Sequence, residues 1–267
     1  MQTPPKALTI AGSDSGGGAG IQADLKSFSA LGVYGASAIT GITAQNTTGV
    51  QAVEAVSEKM VRAQIASVLD DIEIGAVKIG MLGTPGIVRA VAEALGDYGG
   101  PVVLDPVMVA KSGDPLLADE AVAALIEYLL PRADVLTPNL PEAARLLQTG
   151  VAETAQDAET QGQALRAMGA TTVLMKGGHG SGDICVDLLI AADGVERIEA
   201  PRIHTGNTHG TGCSMSSAIA AGLASGLDLR AATARAHGWL QGAIRAADGL
   251  HVGQGHGPVH HFHEVWS

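Results

Sequence analysis

A glycine-rich loop at residues 205–214 (TGNTHGTGCS) leads directly into an alanine-rich segment whose apolar residues have helical spacing. The first turn of such a helix leaves backbone N–H groups without helical partners. Together with the helix dipole, these groups form an anion site of the kind that binds phosphate. Cys213 stands in this predicted first turn, where the same field favours a thiolate. The sequence therefore predicts a lowered pKa for Cys213.

Other residues with reactive or ligating side chains stand at predicted strand ends. Asp105 closes one apolar run, and Lys176 closes another just before two glycines. Asn139 and Glu142 stand three apart where a strand passes into a helix. Carboxylates and an amide in such places are suited to Mg²⁺ and phosphate, and a lysine is suited to phosphate. A turn role for Asp105 and a capping box for Asn139 and Glu142 are the structural alternatives.

A second glycine-rich run, residues 12–20 (GSDSGGGAG), follows a predicted buried strand and precedes a helix. Neither a dinucleotide fingerprint nor a Walker lysine fits it, so dehydrogenases and P-loop enzymes lose their main support. A plain turn is one interpretation, but three consecutive glycines indicate close approach of the backbone to a ligand. Gln45 follows the next strand, where its amide either binds a polar heterocycle or lies in a solvated loop. Lys78, inside an apolar strand, is predicted to snorkel or to be ion-paired.

Strands and helices alternate along the chain without a linker, repeat or low-complexity tract. The predicted strands are 6–12, 34–43, 51–56, 74–80, 101–105, 133–137, 171–176 and an antiparallel pair, 184–190 with 196–200. The predicted helices are 58–71, 85–95, 116–130, 157–168 and 229–247, with one more after each glycine-rich run. This pattern predicts an α/β protein with one domain over residues 1–267, a mainly parallel central sheet flanked by helices, and a short antiparallel hairpin.

Composition supports this class and excludes others. Of the 267 residues, 46% are hydrophobic and only 3% aromatic, so Ala, Val, Ile and Leu must form the core, as suits a parallel sheet. The net charge of −11 argues against nucleic acid or an anionic membrane as a partner, although a small phosphorylated ligand remains possible. No apolar run approaches the ~20 residues of a membrane span and no signal peptide is evident, which favours the cytoplasm.

The cysteines and the histidine-rich tail are not predicted to bind metal. The two cysteines lack metal-ligand spacing, and Cys185, in an apolar run, is expected to be buried. The tail, residues 253–267, contains four histidines interleaved with Gly, Pro, Val and Phe but no acidic or cysteine partner pattern.

In order along the chain, these motifs resemble the vitamin kinases of the ribokinase-like superfamily, and most closely the hydroxymethylpyrimidine/phosphomethylpyrimidine kinases of thiamine biosynthesis. The resemblance extends from end to end of the chain. It rests on the stretches 7–25 (ALTIAGSDSGGGAGIQADL), 43–47 (TAQNT), 77–82 (VKIGML), 103–111 (VLDPVMVAK), 136–142 (LTPNLPE), 175–179 (MKGGH), 207–213 (NTHGTGC) and 253–263 (GQGHGPVHHFH).

The resemblance implies a ribokinase-like fold, often dimeric, and transfer of phosphoryl groups from Mg²⁺–ATP to 4-amino-5-hydroxymethyl-2-methylpyrimidine and then to its monophosphate. It implies a pyrimidine pocket of Gly12, Ala19, Asp24, Gln45, Met81 and Val107. It assigns the metal to Asp105 and Glu142, and the nucleotide to Lys176, Asn139, Thr205 and His209. The catalytic loop is Gly210, Thr211, Gly212 and Cys213. Sugar kinases of the superfamily have an aspartate base at the last position, so Cys213 either takes the proton or only places the hydroxyl.

Three other functions remain as alternatives. A pyridoxal kinase of the same branch is the nearest, and Gln45 argues against it, since a glutamine can pair with both the ring nitrogen and the amine of an aminopyrimidine. A binding protein without turnover is disfavoured because Asp105, Glu142, Lys176 and the 210–213 loop are intact. A nucleoside or acetylated-sugar kinase is disfavoured by Cys213.

Overall fold

A computed structural model describes residues 3–109, 113, 116–179 and 182–266. Within these ranges nine strands form one sheet in the order β3-β2-β1-β4-β5-β6-β7-β8-β9. The strands are β1 (Lys6–Ser13), β2 (Tyr34–Asn46), β3 (Gly49–Ala55), β4 (Ala76–Ile79), β5 (Val102–Leu104), β6 (Val135–Leu136), β7 (Thr172–Met175), β8 (Ile184–Ala191) and β9 (Gly194–Pro201). The central strands are parallel, and β3, β8 and β9 are antiparallel to their neighbours. The predicted α/β class with a mainly parallel sheet is confirmed.

Helices cover both faces of the sheet. They are α1 (Gly20–Ala30), α2 (Glu58–Leu69), α3 (Pro85–Ala94), α4 (Asp119–Ala124), α5 (Leu140–Leu147), α6 (Ala155–Ala167), α7 (Thr211–Ala224) and α8 (Leu229–Arg245). Successive residues of a strand point to opposite faces. Val102 and Leu104 of β5 therefore join the core under α2–α6, whereas Val103 joins the core under α1, α7 and α8. Because both faces are buried, the strands read as continuous apolar runs.

Side-chain caps fix where several helices begin. The side chains of Ser57, Thr84, Thr154 and Asp228 each accept a hydrogen bond from a backbone N–H in the first turn of the following helix. Such caps replace the helical partners that the first N–H groups lack, which contributes about 1 kcal/mol each. These caps fix the starts of α2, α3, α6 and α8.

The prediction of a single helix over 116–130 is wrong in its details. Helix α4 begins at Asp119 and continues as a π-helical turn, Leu125–Leu129, followed by a 3₁₀ turn, Leu130–Arg132. Pro131 lacks an N–H and its ring clashes with the carbonyl of residue 127 in a regular helix, so the helix cannot keep α geometry into it.

Further differences from the sequence prediction are small. Strand β2 extends to Asn46 and pairs with β3 as an edge hairpin, so Gln45 lies at the end of a strand. Cys185 is only partly buried, because β8 lies near the sheet edge. Ala110 and Lys111, which belong to one motif of the resemblance, lie outside the described residues. No helix in the described part of the chain is long and apolar enough to cross a membrane.

Candidate active site

The carboxyl ends of the parallel strands β1, β4, β5, β6 and β7 open onto one edge of the sheet, where the predicted residues stand. Ligands of open α/β sheets bind at this edge. The start of helix α7 faces the same edge, because its serines reach side chains of the tail, of the residue that follows β5 and of helix α1. Ser214 contacts His261 at 2.9 Å, Ser216 donates to Asp105 at 3.3 Å, and Ser217 donates to Asp24 at 2.6 Å.

Helix α7 begins at Thr211, with Gly210 as its N-cap at a φ of 81°. Only glycine is comfortable there, and a Cβ would also overlap the carbonyl oxygen of Gly18. The predicted placement of Cys213 in the first turn is thus what the structure shows. Of the predicted backbone donors, the N–H of Thr211 already reaches the carbonyl of Thr208 at 3.4 Å.

Asp105, Lys176 and Glu142 form one charged cluster beside this loop. Lys176 Nζ lies 2.8 Å from Asp105 Oδ1 and 4.0 Å from Glu142 Oε2. A Cβ on Gly212 would lie 3.3 Å from that Nζ and 3.7 Å from Asp105 Oδ2, so the loop backbone abuts the cluster. Thr137 donates to Asp105 Oδ1, and Ser216 of helix α7 donates to Asp105 Oδ2. The structure thus brings the predicted metal and phosphate residues together with the catalytic loop.

Burial and mutual charge set the ionisation of this cluster. Burial would raise the pKa of Asp105, but the charges of Lys176 and Lys78 outweigh it and leave that pKa lowered. Burial raises the pKa of Glu142 to about 7, and the nearby Asp105 charge adds to this, against the attraction of Lys176. Burial would lower the pKa of Lys176, but the two carboxylates raise it. Glu142 is therefore the carboxyl group whose charge is most easily changed near neutral pH.

The capping box predicted as the structural alternative for Asn139 and Glu142 is present. Asn139 Oδ1 accepts from the Glu142 N–H at 2.8 Å, and Glu142 Oε2 accepts from the Asn139 N–H at 2.8 Å. The same Oε2 faces Lys176. The cap therefore holds the Glu142 carboxyl group at the cluster, and the structural role and a metal-binding role are compatible.

The prediction of a lowered Cys213 pKa is wrong. Burial raises the pKa of the thiol to about 11, and the carboxylates of Asp24 and Asp105 add to this, whereas Lys78 and the N–H of Gly20 act in the opposite direction. The helix N-terminus alone does not decide the pKa, since the thiol is partly buried and lies near two negative charges. Cys213 is a neutral thiol at pH 7.

Three backbone N–H groups of the glycine-rich run 12–20 are bonded to a side chain of the run itself. Asp14 Oδ1 accepts from the N–H of Gly16 at 2.8 Å, and Oδ2 accepts from those of Gly18 at 3.0 Å and Ala19 at 2.8 Å. The close approach that Gly18 allows is to His209, whose ring a Cβ would overlap. The run is therefore a turn built around its own carboxylate, and Asp14 is a residue that sequence reasoning missed.

The remaining predicted pocket residues lie around the ends of β1, β2 and β4. A Cβ on Gly12 would lie 2.9 Å from Met81 Sδ, so these two residues are in contact. The Gln45 backbone is held by Ser15, whose hydroxyl donates to the Gln45 carbonyl and accepts from its N–H, each at 2.8 Å. Ala19 and Val107 are partly buried at the same sheet edge.

Asp24 is placed differently from the other pocket residues. Its carboxylate is fully buried and accepts from Lys78 at 2.8 Å, from Thr9 at 2.6 Å and from Ser217. Direct contact with a pyrimidine would require these bonds to break. The ion-paired alternative for Lys78 is confirmed and the snorkelling alternative is wrong, because its amino group does not reach water. An isolated lysine in an apolar strand was the sequence signal for this pair.

Two predicted nucleotide residues have other contacts. Thr205 donates to Asp248, and Asn207 donates to the same carboxylate at 2.7 Å, so Thr205 anchors the loop. His209 is 8% exposed; its Nε2 lies 2.8 Å from Asp14 Oδ2 and 3.5 Å from Gln45 Nε2. The ring therefore lies with the predicted pyrimidine residues.

This arrangement was compared with known proteins. A family model described as phosphomethylpyrimidine kinase matches residues 14–260. The chain belongs to the phosphomethylpyrimidine kinase family. It is 58% identical over 262 residues to a hydroxymethylpyrimidine/phosphomethylpyrimidine kinase of Rhizobium meliloti, covering 97% of this chain and 98% of that one. The predicted family and kinase activity are thereby confirmed.

Solved structures agree with this membership. An ADP complex of Bacillus subtilis pyridoxal kinase is similar with a TM-score of 0.91 and 38% identity, covering 99% of this chain and 100% of that one. A phosphomethylpyrimidine kinase of Clostridium difficile is similar with a TM-score of 0.79 and 44% identity, covering 90% and 99%. The fold is thus shared by pyridoxal kinases and phosphomethylpyrimidine kinases, and the whole-chain identity favours the latter.

Proposed function

We propose that this enzyme transfers the γ-phosphoryl group of ATP to the hydroxymethyl oxygen of 4-amino-5-hydroxymethyl-2-methylpyrimidine, and then phosphorylates the resulting monophosphate to the diphosphate, in the supply of thiamine diphosphate. The observation that carries the proposal is the position of the 210–213 loop. Gly212 abuts Lys176 and Asp105, while Gly210 abuts the carbonyl of Gly18 in the glycine-rich run. A phosphate site and a heterocycle site therefore meet at one helix start.

Phosphoryl transfer needs positioning and charge neutralisation more than covalent chemistry. The N–H groups at the start of α7 and the Lys176 ammonium supply positive charge where negative charge develops on the transferring group. Removing one such donor in other enzymes costs about 10²–10³ in kcat. These groups stand in place before substrate arrives, because the helix α7 serines and the Asn139–Glu142 cap hold them.

We assign the substrate hydroxyl to Cys213. A thiol with a pKa of about 11 is protonated at pH 7, so it is not a standing base. It accepts or donates a hydrogen bond and so orients the attacking oxygen. A loose transition state does not require early removal of the hydroxyl proton. Cys213→Ala should lower kcat by ~10²-fold, as expected for loss of a positioned proton-handling group.

Asp105 and Glu142 fit the donor set of Mg²⁺, which typically binds one or two carboxylates together with substrate phosphates. When bound, the ion would neutralise charge on the phosphates. Glu142 loses its proton near pH 7, so metal binding there should strengthen as the pH rises through 7.

The substrate assignment is tested by a coupled ADP-release assay that compares hydroxymethylpyrimidine with pyridoxal. We expect kcat/KM for the pyrimidine to exceed that for pyridoxal by at least tenfold. The reverse preference would make the enzyme a pyridoxal kinase, the alternative suggested by the shared fold. A homodimer and a cytoplasmic location stay predictions.

A further inference from the structure

Two segments that are distant in sequence contact each other beside the candidate site. They are the glycine-rich run 12–20 and the pair of residues, His209 and Gly210, that lead into helix α7. A Cβ on Gly18 would overlap the His209 ring, and a Cβ on Gly210 would overlap the Gly18 carbonyl oxygen. Gly18 does not have a positive φ, so its lack of a side chain serves this contact rather than a special backbone conformation. Each glycine thus leaves the space that the other segment occupies.

A hydrogen bond between Asp14 and His209 joins the same two segments. The Asp14 carboxylate accepts from three backbone N–H groups of its own run. Several N–H donors stabilise the ionised form of a carboxyl group, and an ionised carboxylate only accepts hydrogen bonds. His209 Nε2, 2.8 Å from Asp14 Oδ2, is therefore the donor. The pKa of Asp14 agrees, since burial would raise it but His209 and the backbone N–H groups lower it overall.

Both partners of this hydrogen bond lie in segments that other parts of the chain hold in place. On one side, the backbone N–H of His209 donates to the Gly257 carbonyl at 3.0 Å, and its carbonyl accepts from the Val259 N–H at 3.3 Å. On the other side, Lys26 of helix α1 donates to the Gly17 carbonyl at 2.7 Å. The bond therefore connects two anchored segments, and a change in it changes their relative position.

The two segments contain different halves of the proposed site. The glycine-rich run contains Gly12 and Ala19 of the predicted pyrimidine pocket. Gly210 is the N-cap of helix α7, whose first turn contains Cys213 and the N–H groups of the proposed phosphate site. Phosphoryl transfer depends mainly on the placement of the acceptor relative to the phosphoryl group, and a misplacement of ~1 Å can cost about 10²-fold in rate. The relative position of the segments therefore matters more to the chemical step than to the binding of either substrate.

We propose that Asp14 and His209 are positioning residues, which hold the pyrimidine pocket and the phosphate site at a fixed separation. They act through the backbone of their two segments, without contacting either substrate. A residue that binds a substrate changes KM, and a residue needed only for folding changes the number of active sites. A positioning residue of this kind instead changes kcat at each site. This inference deepens the proposed function and rests on it for the identity of the acceptor.

The first test breaks the hydrogen bond and leaves the turn intact. His209→Phe keeps an aromatic ring beside Gly18 but removes the Nε2 donor, while Asp14 keeps its three backbone donors. We expect kcat to fall at least about tenfold, with KM for ATP and KM for hydroxymethylpyrimidine each within about threefold of wild type. The kcat is calculated per nucleotide site, counted by titration with a nonhydrolysable ATP analogue. His204→Phe, at an exposed histidine before the catalytic loop, is the matched control and should change none of these constants.

The second test changes the steric contact without removing a polar group. In Gly18→Ala the added Cβ would overlap the His209 ring and push the two segments apart. We expect the same result as for His209→Phe, a lower kcat per site with both KM values preserved. Gly238→Ala in helix α8 is the matched control. Neither glycine has a positive φ, and in the described part of the chain a Cβ on Gly238 would meet no atom within 4 Å beyond its own helix.

A double-mutant cycle shows whether Asp14 and His209 act together. Asp14→Ala removes the shared hydrogen bond and also the three bonds of the turn, so its kcat should fall at least as far as that of His209→Phe. Because both changes remove one shared bond, the double variant should have the kcat of Asp14→Ala alone. Losses that multiply would mean that the two residues act separately, which would overturn the proposal.

Two further results would overturn it. One is a kcat per site within about threefold of wild type in His209→Phe, where a fall of about tenfold or more is expected. If that variant shows no nucleotide sites, Gly18→Ala decides by the same criterion. The other is a rise confined to KM for one substrate, which would make His209 a contact of that substrate. If the wild type phosphorylates pyridoxal and not hydroxymethylpyrimidine, the proposed function fails, while the same constants measured with pyridoxal still decide the positioning role.

Discussion

Two aspartate–lysine pairs lie near the start of helix α7. Their Nζ–oxygen distances are equal, but their solvent exposure and their other contacts differ. In both, Nζ lies 2.8 Å from a carboxylate oxygen. The Asp24–Lys78 pair is 0% exposed at both side chains. In the Asp105–Lys176 pair the lysine is 15% exposed and also faces Glu142. One pair is closed off by protein, and the other opens to the site.

The difference separates a structural pair from a reactive one. Both oxygens of Asp24 are taken by protein donors that no ligand needs to replace. Lys176, by contrast, is shared between two carboxylates, one of which has a pKa near 7, so its contacts can be exchanged for phosphate. A salt bridge at this distance therefore indicates function only when the lysine can exchange its carboxylate contacts for contacts with a ligand.

The largest effect is expected from breaking the closed pair. Lys78→Met leaves the Asp24 charge buried and uncompensated, and removal of one partner of such a pair typically costs 3–5 kcal/mol in the free energy of unfolding. Urea denaturation measures this loss. The double variant Asp24→Leu/Lys78→Met removes both charges and should lose less than the sum of the two single variants. Additive losses would mean that the two groups do not act as a pair.

Breaking the open pair should affect activity more than stability. Lys176→Met should lower kcat by about 10²–10³, the effect of losing one group that stabilises transition-state charge. Its loss of unfolding free energy should be smaller than that of Lys78→Met, because the Lys176 side chain is 15% exposed whereas that of Lys78 is 0% exposed. Steady-state kinetics and urea denaturation of the same preparations compare the two lysines, and a kcat within tenfold of wild type would remove Lys176 from the chemistry.

The buried Glu142 beside the open pair should also give the protein a pH-dependent stability. The pKa of Glu142 is about 7 in the folded protein, against a usual value of 4.5. A raised folded pKa stabilises the fold fully below pH 4.5, and this contribution is lost as the pH rises through 7, at up to about 1.4 kcal/mol per pH unit. Glu142→Gln lacks this dependence. Its free energy of unfolding relative to wild type should therefore increase between pH 4.5 and 7, whereas a constant difference would place the pKa of Glu142 near its usual value.

The smallest expected effect concerns the Cys213 thiol, which lies near both pairs, and the pH dependence of its alkylation. The two carboxylates raise the Cys213 pKa and Lys78 lowers it, with about 11 as the result. Alkylation by iodoacetamide requires thiolate, so its rate should increase about tenfold per pH unit from pH 7 to 9. Mass spectrometry follows Cys213 and, in the same sample, the partly buried Cys185 as a control for the reagent. A rate that levels off below pH 8 would instead support Cys213 as a thiolate that takes the proton of the substrate hydroxyl.

Local signals explain what the sequence predicted well. Pro141 and the Asn139–Glu142 spacing predict a capping box because the relevant atoms are within one helical turn, and the box is present. Strand ends followed by Gly or Pro located Asp105 and Lys176 at one edge, since parallel strands share their carboxyl ends.

Two features that the sequence did not predict share a different cause. The pKa of Cys213 depends on Asp24, Asp105 and Lys78, which other elements bring around it, and the helix dipole is only one contribution. The glycine-rich run is filled by its own Asp14, a bonding choice that spacing does not reveal. Proximity along the chain predicts caps and turns, whereas the surroundings of a buried group depend on packing between distant segments.

The contact between Asp14 and His209 joins positions 195 residues apart, and Gly257 and Val259, which bond the His209 backbone, come later still. A ribosome adding ~5–20 residues per second spends roughly 10–40 seconds between the two residues. During that interval the glycine turn has emerged without the imidazole that pairs with Asp14. The hydrogen bond between these two residues is therefore among the last contacts that a newly synthesised chain acquires.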